Sequence, residues 1–413
     1  MKILMINKYH HITGGGDTYY FQLSNLLRAK GHEVIEFCLR HPKNLSSEYS
    51  DYFVNGLTYE NWKGASIGRK IKAYVNGVYN LEAKRKIRLL IKKAKPDIAH
   101  IHNIFYQISP SILTPLKNAN IPVVQTLHDY QLICGSNYLY TNGKICKDCK
   151  KNKYYKILIN RCFHNNLMAS FLLFSTKIVH SLFGSYEKNV DIFISPSKFL
   201  KEKIESYFSP TLNFTIIPHA IDSKKYEPNC SSKDYVIFAG WLAKQKGIYT
   251  LIKAFETLPI KLLVFGYGPM EDKVKKYIQV KGIENIEIKG RVDRAKLQNW
   301  MKDAKFIIVP SEWYENSPMI IYESFALGKP VLASNIGGIP ELVTKDVGRL
   351  FRAGDIDDLR RKVKELYYDA NLVRDLGRNA GKKIQEQYAL ERHYSSIMEV
   401  YSCAMKRCHE SRG

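Results

Sequence analysis

The run Phe306-Ile-Ile-Val-Pro-Ser-Glu-Trp-Tyr-Glu-Asn-Ser-Pro-Met-Ile-Ile-Tyr-Glu-Ser-Phe-Ala-Leu-Gly-Lys-Pro-Val-Leu-Ala-Ser334 decides the fold. Phe306–Val309 and Pro330–Ala333 are short apolar runs bounded by proline and polar residues, the pattern of strands buried on both faces. Between them lie a polar loop, Ser311–Ser317, and a helical stretch. Asn316 or Ser317 is placed to cap that helix, with Pro318 at its first position. Strand, loop, helix and strand in this order make one unit of a parallel sheet, because parallel strands need a long crossover.

Working outward, the same unit recurs in two series. Lys2–Ile6 reads as a buried strand. Gly14-Gly15-Gly16 then breaks the chain, and Asp17–Lys30 carries Tyr20, Leu23, Leu26 and Leu27 at helical spacing, with Gly31 as its stop. Glu33–Cys38, Asp97–His102 and Pro122–Leu127 are further strands. Residues 210–234, with Pro218, Pro228 and the strand-like Phe214–Ile217, form the passage to a second series: Tyr235–Ala239, Lys261–Phe265, Asn285–Ile288 and the two strands above. The expectation is two doubly wound α/β domains. A chain of 413 residues suits two domains of roughly 150–200 residues. Hydrophobic content of 45% and charged content of 25% exclude global disorder and a fibrous chain.

Glu315 precedes the helix of the opening run and Glu323 lies within it, eight positions on. At about 1.5 Å of rise per residue the two carboxylates stand roughly 10–12 Å apart along the axis. That is too wide for an acid/base pair on one bond and suits the two ends of an extended ligand. The helix N-terminus between them is a seat for an anion such as phosphate.

The E-x7-E pair, with Ala326-Leu-Gly-Lys-Pro-Val331 and Gly337-Gly-Ile-Pro-Glu341 behind it, resembles glycosyltransferase family 4, retaining nucleotide-sugar enzymes of the GT-B fold. The resemblance implies two Rossmann-like domains facing each other across a cleft. It divides the chain into an acceptor-side domain, 1–222, a donor-binding domain, 223–385, and a final helix, 386–413, returning to the first domain. In the family the first glutamate faces the donor sugar hydroxyls and the second holds the nucleotide ribose. Other motifs follow in family order. Gly15 and Gly16 match the glycine pair near the donor phosphates and acceptor, and His128 in Thr126-Leu-His-Asp-Tyr130 matches a histidine facing the donor sugar. Ser195-Pro-Ser-Lys198 and Pro218-His-Ala-Ile-Asp222 lead into the linker, where His219 serves either the cleft or the linker itself. Gly266-Tyr-Gly-Pro269 matches the second-domain glycine turn. His128, Glu315 and Lys246 are thus the implied catalytic residues. Gly15, Gly16, Lys244, Gly266, Asn316, Ser317, Pro318, Met319 and Glu323 are the implied donor-binding set.

One segment departs from the family. Where it usually has G-R-L and then K-G, this chain has Gly240-Trp-Leu-Ala-Lys-Gln-Lys-Gly247. Lys246 keeps its place, but Trp241 stands where an arginine would grip the donor pyrophosphate, and tryptophan cannot make that charged fork. Either Lys244 supplies the second charge, or one cation and the Pro318 helix terminus suffice, or activity is reduced. The mechanism the resemblance implies is transfer with retention, with no carboxylate nucleophile and no catalytic metal.

Cys134, Cys146, Cys149 and Cys162, in an insertion spanning 134–162, form C-x11-C-x2-C-x12-C, with two readings: a structural zinc held by four thiolates, or four reduced thiols. Net charge is +24, and residues 1–200 hold 28 basic and 12 acidic side chains against 35 and 27 in the remainder. The excess concentrates at Ile67–Lys95, where Arg69, Lys70, Lys72, Lys84, Arg85, Lys86, Arg88, Lys92, Lys93 and Lys95 face only Glu82. This is either a solvated helix face or a basic amphipathic surface for anionic lipid, to which Leu167–Phe183 adds an apolar patch or a buried helix. The start of the chain lacks the pattern of a secretory signal and no uncharged run reaches spanning length, so the expected location is cytoplasmic, peripheral at the inner membrane face. The expected function is transfer of a sugar from a nucleotide-diphosphate donor to a lipid-linked saccharide in cell-surface polysaccharide assembly. The competing readings are a sugar-nucleotide epimerase, a silent nucleotide-sugar-binding subunit, and a basic nucleic-acid-binding protein, for which no recognition motif accompanies the charge.

Overall fold

In β1 (Lys2–Ile6) the last four residues, Ile3, Leu4, Met5 and Ile6, have no solvent exposure, as a strand covered on both faces requires. The computed structural model describes residues 1–57, 64–163, 165–208, 212–229 and 231–410. After β1 the chain lays down β2 (Glu33–Phe37), β3 (Ile98–Ile101) and β4 (Val123–Thr126), then a small antiparallel hairpin, β5 (Tyr140–Thr141) and β6 (Lys144–Ile145). β7 (Ile192–Ser195) and β8 (Phe214–Ile216) complete one parallel sheet, in the order β2-β1-β3-β4-β7-β8. A second parallel sheet follows, from β9 (Tyr235–Ala239), β10 (Lys261–Phe265), β11 (Ile286–Gly290), β12 (Ile307–Val309), β13 (Val331–Ser334) and β14 (Gly348–Phe351). Its order is β11-β10-β9-β12-β13-β14. The expected pair of doubly wound α/β domains is therefore present. Strand order reverses between β1 and β3 in one sheet and between β9 and β12 in the other, and ligands of such sheets bind at the strand ends beside the reversal.

The first unit comprises Met1–Tyr138, Lys147–Ile217 and the C-terminal segment from Tyr394; the second comprises Leu139–Cys146 and Pro218–His393. In the first, Tyr19, Tyr20, Leu23 and Leu27 of the helix Gly15–Ala29 share a core with Ile397, Val400, Tyr401 and Ala404 of the C-terminal helix Leu390–Glu410. The Tyr401 hydroxyl is hydrogen-bonded to His100 of β3 at 2.7 Å, anchoring that helix to the sheet.

In the second unit alternate residues of β9 enter different cores. Tyr235 and Ile237 pack with the helix Met319–Ala326, and Val236 and Phe238 with the helix Ile248–Phe255, the period-two pattern of a sheet covered on both faces. The two segments at its borders pair with each other: Ile221 bridges Ala389, its N–H donates to the Tyr388 carbonyl at 3.1 Å, and the buried His393 ring donates to the Pro218 carbonyl. Gly247, in the left-handed region at φ +70°, starts the helix Ile248–Phe255, and a Cβ there would lie 1.7 Å from the carbonyl oxygen of Pro310.

The basic stretch is two helices rather than one continuous face. Ile67–Val78 and Leu81–Ala94 are separated at Asn80, whose Oδ1 accepts from the Ala83 N–H and caps the second. Ile87 and Leu90 are buried in the first unit, whereas Ile67, Ile71 and Val75 are exposed. The helix Leu167–Leu182 packs against Ile67–Val78 and exposes Leu167, Met168, Phe171 and Leu182. Among the described residues no helix is long and apolar enough to cross a membrane.

Two measurements test this framework. Gly247→Ala should destabilise by at least about 1–3 kcal/mol from backbone conformation alone, with the Pro310 clash adding to it, lowering the thermal midpoint. Burial holds His393 at about 4, below its ordinary 6.5, so its contribution to stability is complete above pH 6.5 and is lost as pH falls from there toward 4. In His393→Gln, unfolding free energy should depend less steeply on pH across that window.

Candidate active site

At the reversal of the second sheet, the loop after β9 and the loop after β12 lie side by side, because Gly247 allows the first to touch Pro310 in the second. The turn Lys244–Lys246 thereby delivers the Lys246 ammonium to Glu315 Oε1 at 2.6 Å. Ser311 Oγ and Trp313 Nε1 donate to the same oxygen at 2.7 and 2.8 Å, and Lys246 also lies over the Trp313 ring, 5.0 Å from its centroid. Burial alone would raise the pKa of Glu315; Lys246, Ser311 and Trp313 outweigh it and hold the carboxyl below its usual range. Gly337, at φ +62°, lets the following loop approach, since a Cβ there would lie 2.2 Å from the Glu315 carbonyl oxygen, and the Gly338 N–H donates to that oxygen.

Glu323, in the second turn of Met319–Ala326, is held differently. Arg294 donates to its Oε1 at 2.6 Å and to the Tyr226 hydroxyl at 3.1 Å. Burial raises the Glu323 pKa, against the pull of Arg294. In both glutamates all these bonds fall on Oε1; among the described residues Oε2 has no hydrogen-bond partner in either. The protein thus fixes each carboxylate by one oxygen.

The surrounding expected residues take these places. Asn316 and Ser317 are buried, and Ser317 Oγ is hydrogen-bonded to the Tyr322 hydroxyl at 2.7 Å. Neither caps the helix: Pro318 is itself the N-cap, Met319 is the first helical residue, and no side-chain cap bond is made. Lys244 lies against Gly143 of the β5–β6 hairpin, where a Cβ would meet its Nζ. Gly266, at φ +130°, touches the Gly240 carbonyl in the loop carrying Trp241, which is 44% exposed. Arg291, just beyond β11, stacks on the Tyr267 ring of the same glycine turn, 5.0 Å from its centroid, and adds a cation at this end of the sheet. His219 is buried beside the Tyr322 ring.

In the first unit, Gly15 and Gly16 form the opening turn of a helix that begins at Gly15, two residues earlier than the sequence suggests. Asp17 fixes this turn, accepting from the Thr13 N–H and the Asn7 side chain, both at 2.9 Å. A Cβ on Gly16 would lie 3.3 Å from His128 Cγ, so the glycine lets the turn pass close to that ring. His128 is hydrogen-bonded to His102 at 2.9 Å and stacks on it with centroids 5.2 Å apart. Burial lowers the His128 pKa to about 4, with Asp17 opposing, so the ring is neutral near pH 7.

His102, Trp313, Arg291 and Arg294 are the residues that sequence reading passes over. His102 ends the Asp97–His102 strand run, so its place at a sheet's ligand end was available as a signal. Arg294 has no local signal, as its partner lies 29 residues away.

Of the two readings of Cys134, Cys146, Cys149 and Cys162, the structural zinc gains no support. Among the described residues no three His, Cys, Asp or Glu side chains gather as metal ligands. Cys149 packs with Cys162, Tyr154, Ile157 and Leu173 in a small apolar cluster, and Cys134 Sγ is paired with Ser136 Oγ. Cys149 and Cys162 serve there as small apolar side chains.

Residues 13–225 match the family model described as Glycosyltransferase Family 4, and residues 222–383 match that of Glycosyl transferases group 1. An uncharacterized glycosyltransferase of Methanocaldococcus jannaschii is 26% identical over 404 residues, covering 97% of this chain and 98% of its own. The N-acetyl-alpha-D-glucosaminyl L-malate synthase of Bacillus anthracis is 21% identical over 403 residues, covering 94% and 93%. Among solved structures, the sucrose-phosphate synthase of Thermosynechococcus elongatus superposes with a TM-score of 0.73 at 18% identity, covering 98% of this chain and 99% of that one. Anabaena HepE in complex with UDP superposes with a TM-score of 0.65 at 15% identity, covering 98% and 100%. At these identities the structural neighbours bear on the fold, which is GT-B. With a family model spanning more than half of the chain and a second continuing from residue 222 to 383, this protein belongs to glycosyltransferase family 4 and is a glycosyltransferase.

Proposed function

We propose that the enzyme transfers a sugar, with retention of anomeric configuration, from a nucleotide-diphosphate donor to a lipid-linked saccharide. The observation that carries this reading is the pair of half-occupied carboxylates. Glu315 and Glu323 each offer a free Oε2, eight residues apart, on either side of the helix N-terminus at Met319. Glu315 Oε2 accepts from donor sugar hydroxyls and Glu323 Oε2 from the ribose, while the first-turn N–H groups of the helix and Lys246 face the diphosphate between them.

In the reaction the bond between the anomeric carbon and the diphosphate oxygen breaks, and the acceptor oxygen bonds to that carbon on the same face. The acceptor proton passes to an oxygen of the departing diphosphate. Charge builds on the leaving group, so the protein's contribution is electrostatic and set in place beforehand. Lys246 supplies the cation, with Lys244 and Arg291 as further charges at this end of the sheet. Neutral His128 directs a hydrogen bond to the donor sugar. UDP in the HepE complex supports a uridine nucleotide as the donor class to test first.

An acceptor carried on lipid accounts for the charge and for the apolar side chains exposed beside it. Ile67, Ile71 and Val75 share the helix Ile67–Val78 with Arg69, Lys70 and Lys72, and the neighbouring helix adds Met168 and Phe171. This face rests on an anionic membrane surface, which places the enzyme at the inner side of the cell membrane. A relative in Klebsiella pneumoniae, named as a protein in the cps region and 24% identical over 370 residues, supports a role in polysaccharide assembly. Trp241 keeps a second reading in view, a donor-binding subunit without turnover. Release of UDP from UDP-sugars only when acceptor is present separates the two.

Lys246→Ala should lower kcat by roughly a hundred- to a thousandfold at saturating donor. Glu323→Ala should act mainly on the donor KM, because the ribose contact is the same in ground and transition states. Steady-state kinetics of the two variants side by side checks this split; near-normal kcat in Lys246→Ala removes the assigned role. The protein should sediment with anionic vesicles at about 0.05 M salt and release them near 1 M, and Ile71→Glu with Phe171→Glu should weaken the association. Equal binding to neutral and anionic vesicles would remove the membrane face.

A further inference from the structure

Lys8, two residues beyond β1 at the reversal of the first sheet, points its ammonium at rings instead of carboxylates. Nζ lies 5.2 Å from the Tyr9 ring centroid, 5.5 Å from Tyr106 and 5.7 Å from Phe105. Among the described residues it has no hydrogen-bond or ion-pair partner. Burial lowers its pKa from 10.5, and Asp17 opposes this only through longer-range attraction. Aromatic faces attract a cation but accept no conventional hydrogen bond, so the N–H groups of Lys8 lack an oxygen partner.

The same lysine lines a cavity of about 250 Å³. Its other walls include Tyr74 and Gly77 from the helix Ile67–Val78, Leu172 and Leu173 from Leu167–Leu182, and Phe163. Gly77 brings the first of these helices close, since a Cβ there would lie 2.8 Å from the Tyr106 carbonyl oxygen. An apolar cavity of about 150 Å³ holds benzene, so this volume takes a hydrocarbon segment of about ten carbons. Inorganic phosphate would satisfy Lys8 and leave the apolar walls unfilled. A hydrocarbon alone would fill the walls and leave the cation without an anion.

We propose that this cavity binds an amphiphile in which a hydrocarbon chain, buried among Tyr74, Phe163, Leu172 and Leu173, ends in a phosphate group that pairs with Lys8. This rests on the lipid-linked acceptor proposed above and assigns the part of the acceptor remote from its saccharide. The two helices that expose apolar side chains on their outer faces also wall the cavity, so a chain drawn from a membrane would reach it between elements already at the surface.

The test is calorimetric titration of the full chain with geranyl phosphate, geraniol and inorganic phosphate, each with and without UDP. Geranyl phosphate should bind at least about tenfold more tightly than either other compound, and UDP should not compete. Lys8→Met should weaken geranyl phosphate by about tenfold or more while changing geraniol by less than about twofold. Leu172→Trp, which fills the cavity, should weaken both, and thermal melting of each variant establishes that it is folded. Geranyl phosphate affinity equal to that of inorganic phosphate, or unchanged in folded Leu172→Trp, overturns the proposal. A transfer assay with lipid-extract acceptor separates this from the reading beneath it. Transfer to lipid-linked saccharide with a KM unaffected by Leu172→Trp removes the cavity and leaves the acceptor class standing. Transfer to lipid-free saccharide alone, with geranyl phosphate still bound through Lys8, removes the acceptor class and leaves the site.

Discussion

The end of the second sheet beside its reversal is organised by a half-buried contact between opposite charges, the Lys246 ammonium against one oxygen of Glu315. The Glu315 carboxylate is the buried partner, and without Lys246 it would lose hydration without a full replacement. Around this contact the other features fall into place. Gly247 and Gly337 let two loops approach the segment that carries Glu315, Ser311 and Trp313 complete the shell of its oxygen, and the Gly338 N–H ties down its carbonyl. A cation kept beside a carboxylate is also a cation kept in position. In the reaction proposed above, Lys246 exchanges one anion for another when the diphosphate arrives, without a large rearrangement, which is the condition for electrostatic catalysis to be effective.

The first unit has histidines at the reversal of its sheet. His100, His102 and His128 form a stacked row at the ends of β3 and β4, with His100 held between the Tyr401 hydroxyl and Thr126. Burial keeps His128 uncharged near neutral pH, so its ring offers a neutral hydrogen-bonding group. Burial and pairing account for the contrast between two residues: Glu315 keeps its charge beside Lys246, and buried His128 is neutral near pH 7.

How much of this was legible in the sequence depends on whether each signal is local. Fully buried parallel strands are continuous apolar runs, so Lys2–Ile6, Tyr235–Ala239 and Lys261–Phe265 can be read with their ends. The glutamate pair and Lys246 are legible because their motif is contiguous. Strands β7 and β14 are short and lie beside residues that draw attention as motif or helix, and the hairpin has only two residues per strand, below the length at which alternation can be seen. Arg294 on Glu323 and Tyr401 on His100 join residues 29 and 301 positions apart, and no local pattern records such contacts. The cysteines stayed open between two readings for the converse reason: C-x2-C is a local spacing, but a metal site also requires side chains converging from elsewhere. Pro318 shows a smaller error of this kind, since a proline suited to a first helical position serves here as the cap.

The β5–β6 hairpin has a consequence for treating this chain as modular. In sequence it sits between β4 and β7 of the first sheet, yet Leu139–Cys146 belongs to the second unit, with Gly143 against Lys244. A fragment expressed from Pro218 onward would lack eight residues of its own unit. A chimera joined at Ile217 would graft one protein's hairpin onto another's lysine turn. Recombining the two units of this chain therefore needs two junctions flanking the hairpin, at 138/139 and 146/147, as well as those at 217/218 and 393/394.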